Sequence, residues 1–94
     1  MSEYRAGCFL HTHTDAGHGR VAFVYNMTKD WHVSYGGCLA FLTDDQSAVK
    51  RVVVPQLNAL TMFRVPEPAG ILHCVTPVAA EVKRARHAFS GWWY

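Results

Sequence analysis

Residues 11–19, "HTHTDAGHG", place three histidines and one aspartate within nine positions, immediately before an apolar run. Alternate residues of a β-strand point to the same face, so His13 and Asp15 would project together as a chelating pair. His11 would share that face, whereas His18 would lie in a glycine turn. A histidine and an aspartate one residue apart form a short, common pattern, which is also typical of a strand that ends in a hydrogen-bonded aspartate turn.

A third candidate ligand, His73, stands far along the chain in the apolar stretch "PAGILHCVTPV". Strands from two facing sheets would bring this imidazole to the His13–Asp15 pair at one mouth of a sandwich. Two histidines and one carboxylate on one face of a metal form the facial triad of non-haem Fe(II) oxygenases, which leaves three coordination positions open. These three residues are therefore candidate ligands of one metal ion.

Short runs rich in β-branched and aromatic residues, separated by turn residues, must position these ligands. One stretch, Ala79–Ala85, could instead form a short helix. The regular spacing of the short β-rich runs indicates an all-β sandwich or jelly roll. The predicted strands are Gly7–Thr12, Arg20–Thr28, Gly37–Leu42, Val49–Val54, Ala59–Val65, Gly70–Val75 and Arg84–Trp92.

The composition of the 94-residue chain excludes several classes of protein. The length predicts a single domain over residues 1–94, and a hydrophobic fraction of 50% argues against disorder. The formal charge of +2 is scattered, which argues against nucleic-acid binding, and no apolar run is long enough to cross a membrane. Three separated cysteines predict neither a disulfide framework nor a thiolate zinc site, and favour a reducing, cytoplasmic setting.

Six blocks, in order across nearly the whole chain, resemble the C-terminal catalytic portion of 2-oxoglutarate/Fe(II)-dependent dioxygenases of the prolyl-hydroxylase type. They are "Y-x-x-G-x-F-L-x-x-H-T-D" (Tyr4–Asp15), "GRVAFVYNMTKDW" (Gly19–Trp31), "GGCLAFL" (Gly36–Leu42), "P-x-x-N-x-L-x-x-F-R-V-P" (Pro55–Pro66), "HCVTPV" (His73–Val78) and "R-x-A-F-S-G-W" (Arg86–Trp92).

The resemblance implies a double-stranded β-helix, that is, a jelly-roll or cupin-like fold, in a minimal form that lacks the helices preceding the first block in relatives. It also implies Fe(II) and 2-oxoglutarate as cofactors, with His13, Asp15 and His73 as metal ligands. Arg86 matches the family's basic residue that pairs with the distal carboxylate of 2-oxoglutarate, and Arg84 is its competitor on the same strand face. Tyr4 matches a tyrosine that helps to hold the cosubstrate. At Asn26 some relatives carry a second such tyrosine.

Two functions remain open on the sequence alone. The first is an active dioxygenase that hydroxylates a peptidyl or small-molecule substrate, whose identity the sequence does not specify. The second is a non-catalytic β-domain that keeps a metal or ligand pocket, or a fragment of such an enzyme. Without covering helices, the larger sheet would expose an apolar face, so we expect a homodimer or higher oligomer under either function.

Overall fold

The computed structural model describes residues 2–15, 17, 19–66 and 70–93 of the chain. The predicted turn residues 16, 18 and 67–69, including His18, lie outside the described residues. Eight strands and one short 3₁₀ helix, η1 (Val33–Tyr35), are found in the described part. The strands are β1 (Ser2–Tyr4), β2 (Leu10–His13), β3 (Val21–Asn26), β4 (Leu39–Leu42), β5 (Val49–Val53), β6 (Leu60–Arg64), β7 (His73–Val75) and β8 (Arg86–Trp93).

The strands form two four-stranded sheets in which every pairing is antiparallel. The first sheet has the order β1-β8-β3-β6 and the second has the order β2-β7-β4-β5. Consecutive strands from β2 onward mostly alternate between the two sheets, which is the connectivity of a jelly roll. The predicted all-β double-stranded β-helix is therefore confirmed.

Seven strands were predicted and eight are found in the described residues, and the predicted strand ends were less accurate than the number of strands. The short strand β1 was missed, and it pairs with β8 through a register that sets Tyr4 opposite Arg86. The predicted strand Gly70–Val75 begins only at His73, and the predicted strand Arg84–Trp92 begins at Arg86. Residues 79–85 contain a turn and no helix. No helix among the described residues is long and apolar enough to span a membrane.

The core lies between the inner faces of the two sheets. Ala22 of β3 and Ala88 of β8 are buried on the first sheet, and Leu39 and Val75 are buried as a register pair on the second. Small residues on the first sheet leave room between the layers, and this room becomes a cavity. Because successive side chains of a strand point to opposite faces, the residues next to Ala22 and Ala88 in sequence point to the outer face of the first sheet.

The outer face of the first sheet is apolar, as the sequence led us to expect. Phe23 pairs with Met62, and Tyr25 pairs with both Leu60 and Phe89. Leu60, Met62 and Phe89 are each more than half exposed.

Candidate active site

Three candidate metal ligands converge at one end of the space between the sheets. His13 is the last residue of β2, His73 is the first residue of β7, and the two are opposite each other on neighbouring strands of the second sheet. The expectation that they would come from facing sheets was therefore wrong. Asp15 lies two residues beyond the end of β2, so the turn, and not strand alternation, brings its carboxylate to the histidines. His11, which was expected to share their face, is exposed and packs its ring against Phe9.

The donor atoms have the spacing that a single metal ion requires. The Nε2 atom of His13 lies 3.4 Å from one carboxylate oxygen of Asp15, and Nε2 of His73 lies 3.3 Å from the other. One donor atom from each residue can be chosen so that all lie within 4.8 Å of one another. Metal bonds of about 2.1 Å at right angles separate neighbouring donors by about 3 Å. The set therefore fits one divalent ion without large rearrangement.

Backbone carbonyls fix the tautomer of both imidazoles. The Nδ1 atom of His13 lies 2.7 Å from the carbonyl oxygen of His11, and Nδ1 of His73 lies 2.8 Å from that of Ile71. A carbonyl can only accept, so each Nδ1 carries the hydrogen and donates it. In the neutral ring, Nε2 then presents its lone pair toward Asp15, which is the form that binds a metal.

Burial keeps His73 in this neutral form. Its side chain is only 5% exposed. Desolvation lowers its pKa, against smaller opposing effects of the Ile71 carbonyl and the Asp15 carboxylate. The rings of Phe63 and Phe41 pack around it, with centroids 5.0 and 6.1 Å from the imidazole. These aromatic rings exclude water from one side of the ligand.

A buried cation lies in the same cavity as the three ligands. Arg86 is 2% exposed, and burial lowers the pKa of its guanidinium group. Its Cζ atom lies 5.0 Å from the centroid of the Tyr4 ring, which is a cation–π distance. Its Nε atom has no hydrogen-bond partner, and no described carboxylate lies within ion-pair distance. A buried, unpaired cation is costly, so this arrangement is suited to an anionic ligand.

The structure distinguishes Arg86 from its competitor Arg84. Arg84 precedes β8, is exposed, and directs Nη1 to the backbone oxygen of Asp30 at 3.2 Å and to its carboxylate at 3.6 Å. Arg86 is the first residue of β8 and points into the cavity. Of these two arginines, only Arg86 lines the cavity that the three candidate metal ligands also line.

The absence of a side chain at Gly37 leaves room for the Arg86 side chain. A Cβ atom at Gly37 would lie 3.3 Å from Cδ of Arg86 and 3.3 Å from Cζ2 of Trp31. The Trp31 indole is held by a 2.8 Å hydrogen bond from Nε1 to the carbonyl oxygen of Gly36.

The cavity joins the two polar ends of the site. It has a volume of about 180 Å³ and is lined by His13, Asp15 and His73 as well as by Tyr4 and Arg86. The five residues singled out from the sequence thus share one cavity. Ser90 and Trp92 of β8 line it too and were not predicted; the alternation of β8 would have suggested them once Arg86 was known to face inward.

Comparisons with known proteins agree with this geometry. The family model for the 2OG-Fe(II) oxygenase superfamily matches residues 1–94. Among solved structures, the chain is similar to a prolyl-4-hydroxylase of Pseudomonas putida, with a TM-score of 0.77 and 24% sequence identity over 98% of this chain. The match covers 48% of that protein, so the chain spans about half of its length. A comparison with curated protein sequences found no significant match.

Proposed function

The chain belongs to the 2OG-Fe(II) oxygenase superfamily, and we propose that it is a hydroxylase that uses Fe(II) and 2-oxoglutarate. The reaction would couple oxidative decarboxylation of 2-oxoglutarate to hydroxylation of a C–H bond in a peptidyl or small-molecule substrate. The observation that carries this proposal is one cavity with three metal ligands at one end and the unpaired cation Arg86 at the other.

The metal would be held by His13, Asp15 and His73. Two neutral imidazoles and one carboxylate suit Fe(II), and three ligands on one face leave positions for a chelating cosubstrate and dioxygen. The Nδ1 hydrogen bonds of both histidines keep Nε2 directed at the metal position. The buried aromatic surroundings of His73 limit the access of water.

The cosubstrate would be held at its far end by Arg86. A guanidinium group can bind a carboxylate with two parallel hydrogen bonds, and these bonds are strong in a buried site. The Tyr4 ring under the guanidinium restricts its orientation. When bound, Fe(II) and 2-oxoglutarate supply the oxidation chemistry, with succinate and carbon dioxide as co-products.

Succinate formation tests this function, because oxidative decarboxylation of 2-oxoglutarate would release succinate whichever C–H bond is hydroxylated. Purified protein would be incubated with Fe(II), ascorbate, dioxygen and 2-oxoglutarate, and succinate would be quantified by mass spectrometry. We expect succinate from the wild type and from the His11→Ala control, and none from His13→Ala. Binding of both cofactors without succinate would instead support the non-catalytic module.

A further inference from the structure

A β-bulge on the edge strand β5 directs two consecutive cations into the same groove. Arg51 pairs with Phe41, but Val49 pairs with Leu42, so Lys50 is an extra residue in the strand. On a regular strand, consecutive side chains point to opposite faces. At this bulge, however, both Lys50 and Arg51 line one groove. Bulges of this kind re-aim side chains and are frequent beside active sites.

The groove follows the edge of β6 and has a volume of about 590 Å³. Four consecutive residues of β6 contribute, which places the groove along the edge of the strand rather than over one face. Both β5 and β6 are terminal strands of their sheets, so each has one side without a neighbouring strand in the described structure. The apolar wall consists of Phe41, Leu42, Val53, Leu60, Met62, Phe63 and Ile71.

The groove adjoins the candidate metal centre. Phe63 lines both the groove and the cavity that contains the three ligands. Its ring lies 5.0 Å from that of His73 and 5.0 Å from that of Phe41. A molecule bound in the groove would therefore contact Phe41 and Phe63, which pack beside the candidate metal ligand His73.

The two cations are available to a ligand. Lys50 and Arg51 are exposed, and neither has an ion-pair partner among the residues that the structure describes. The exposed arginines at 5 and 84, in contrast, are each paired with a carboxylate. Asp44 is the one acidic residue among those lining the groove, so the lining carries a net positive charge.

We propose that this groove binds an extended peptide with an acidic residue among apolar ones. Edge strands can give main-chain hydrogen bonds to an added strand, and pockets beside them select side chains. The apolar wall would take the apolar side chains, and Lys50 and Arg51 would bind the carboxylate. The assignment of this peptide as the substrate rests on the proposed function, since the groove leads to Phe63 and the metal centre.

Binding of labelled peptides to the metal-free protein tests this inference. Two pools of nine-residue peptides, built from leucine, valine, alanine and proline, would carry either glutamate or glutamine at the centre. We expect the glutamate pool to bind roughly tenfold more tightly by fluorescence anisotropy at low salt, with the difference shrinking as salt is added. Lys50→Gln/Arg51→Gln should abolish the preference, whereas the charge-matched Lys29→Gln/Lys83→Gln control should retain it.

Equal binding of the two pools, or an unchanged preference in Lys50→Gln/Arg51→Gln, would overturn the inference. Absence of peptide binding would do so as well. The two cations would then serve only to block pairing of an edge strand with other chains. Cofactor binding by the wild type, measured separately, distinguishes failure of the groove from failure of the proposed function, because neither cation lines the cavity proposed for Fe(II) and 2-oxoglutarate.

Discussion

Replacement of Arg86 with methionine should have opposite effects on the cofactor-free and the loaded protein. The guanidinium is buried and lacks a carboxylate partner within the described structure. Its cation–π contact with Tyr4, at 5.0 Å, stabilises the folded protein by only about 0.5–2 kcal/mol. Methionine has a similar length and no charge. Replacing a buried ion pair with well-packed apolar side chains is often neutral, or stabilising by about 1–4 kcal/mol. A buried charge that lacks a carboxylate partner has no ion-pair energy to lose, so its replacement should be at least as favourable.

We therefore expect the free energy of unfolding of cofactor-free Arg86→Met to equal or exceed that of the wild type. An ordinary truncation of a large buried side chain would instead cost about 2–5 kcal/mol. With Fe(II) and 2-oxoglutarate bound, the wild type should instead have the higher free energy of unfolding. At 2-oxoglutarate concentrations 100-fold above its Kd, the ligand should stabilise the wild type by about 2.7 kcal/mol. In a domain of this size, that corresponds to roughly 10–20 °C in Tm.

Thermal and urea unfolding under anaerobic conditions, with Fe(II) and with or without 2-oxoglutarate, would measure both effects. Arg84→Met is the matched control, because Arg84 is an exposed arginine paired with Asp30, and its loss should cost at most about 1 kcal/mol. This control should keep the full shift with 2-oxoglutarate. A loss of more than about 2 kcal/mol in cofactor-free Arg86→Met would refute the reasoning, as would a full ligand shift in that variant.

Three further predictions concern stability and assembly. Because burial lowers the pKa of His73, the unfolded chain binds a proton that the folded protein does not. The free energy of unfolding in urea should therefore fall as the pH decreases below about 6.5, and it should fall less steeply in His73→Gln. Gly36→Ala should lower the free energy of unfolding by more than about 3 kcal/mol, because the added Cβ would collide with the backbone carbonyl oxygen of Pro77. Gly7 also has a positive φ but faces open space, so Gly7→Ala should lower the same quantity by only about 1–2 kcal/mol. We expect the apolar outer face of the first sheet to support self-association, which sedimentation equilibrium would detect and Phe89→Lys would weaken. A wild type that is monomeric at all concentrations would contradict this expectation.

The strand pattern predicted most of the fold, since short β-rich runs between turn residues indicated the two-sheet architecture. The candidate site residues followed from the resemblance of the six sequence blocks to the oxygenase family. Spacing alone placed His13 and His73 on facing sheets, whereas they lie on neighbouring strands of one sheet. Strand ends were less accurate, since β1 is only three residues long and has no alternation to detect. The residues before His73 were predicted as strand from their apolar character, but they do not join the ladder.

Details that depend on contacts between distant segments were not predictable. Spacing alone left Arg84 and Arg86 equivalent, because residues two apart share a strand face; the start of β8 at Arg86 separates them. The carbonyl partners of His13 and His73 follow from the local backbone path, which sequence patterns do not specify. The position of Phe63 against His73 requires the two sheets to be superposed in one particular way.

The most direct test of the central claim is an anaerobic titration of the metal-free protein with Fe(II) and then 2-oxoglutarate. A visible metal-to-ligand charge-transfer band would report the chelate at the His13–Asp15–His73 centre. We predict a saturable band that is lost in His13→Ala and requires far more 2-oxoglutarate in Arg86→Met. Absence of the band from a folded wild-type protein, or its persistence in His13→Ala, would contradict the assignment of this cavity as the cofactor site.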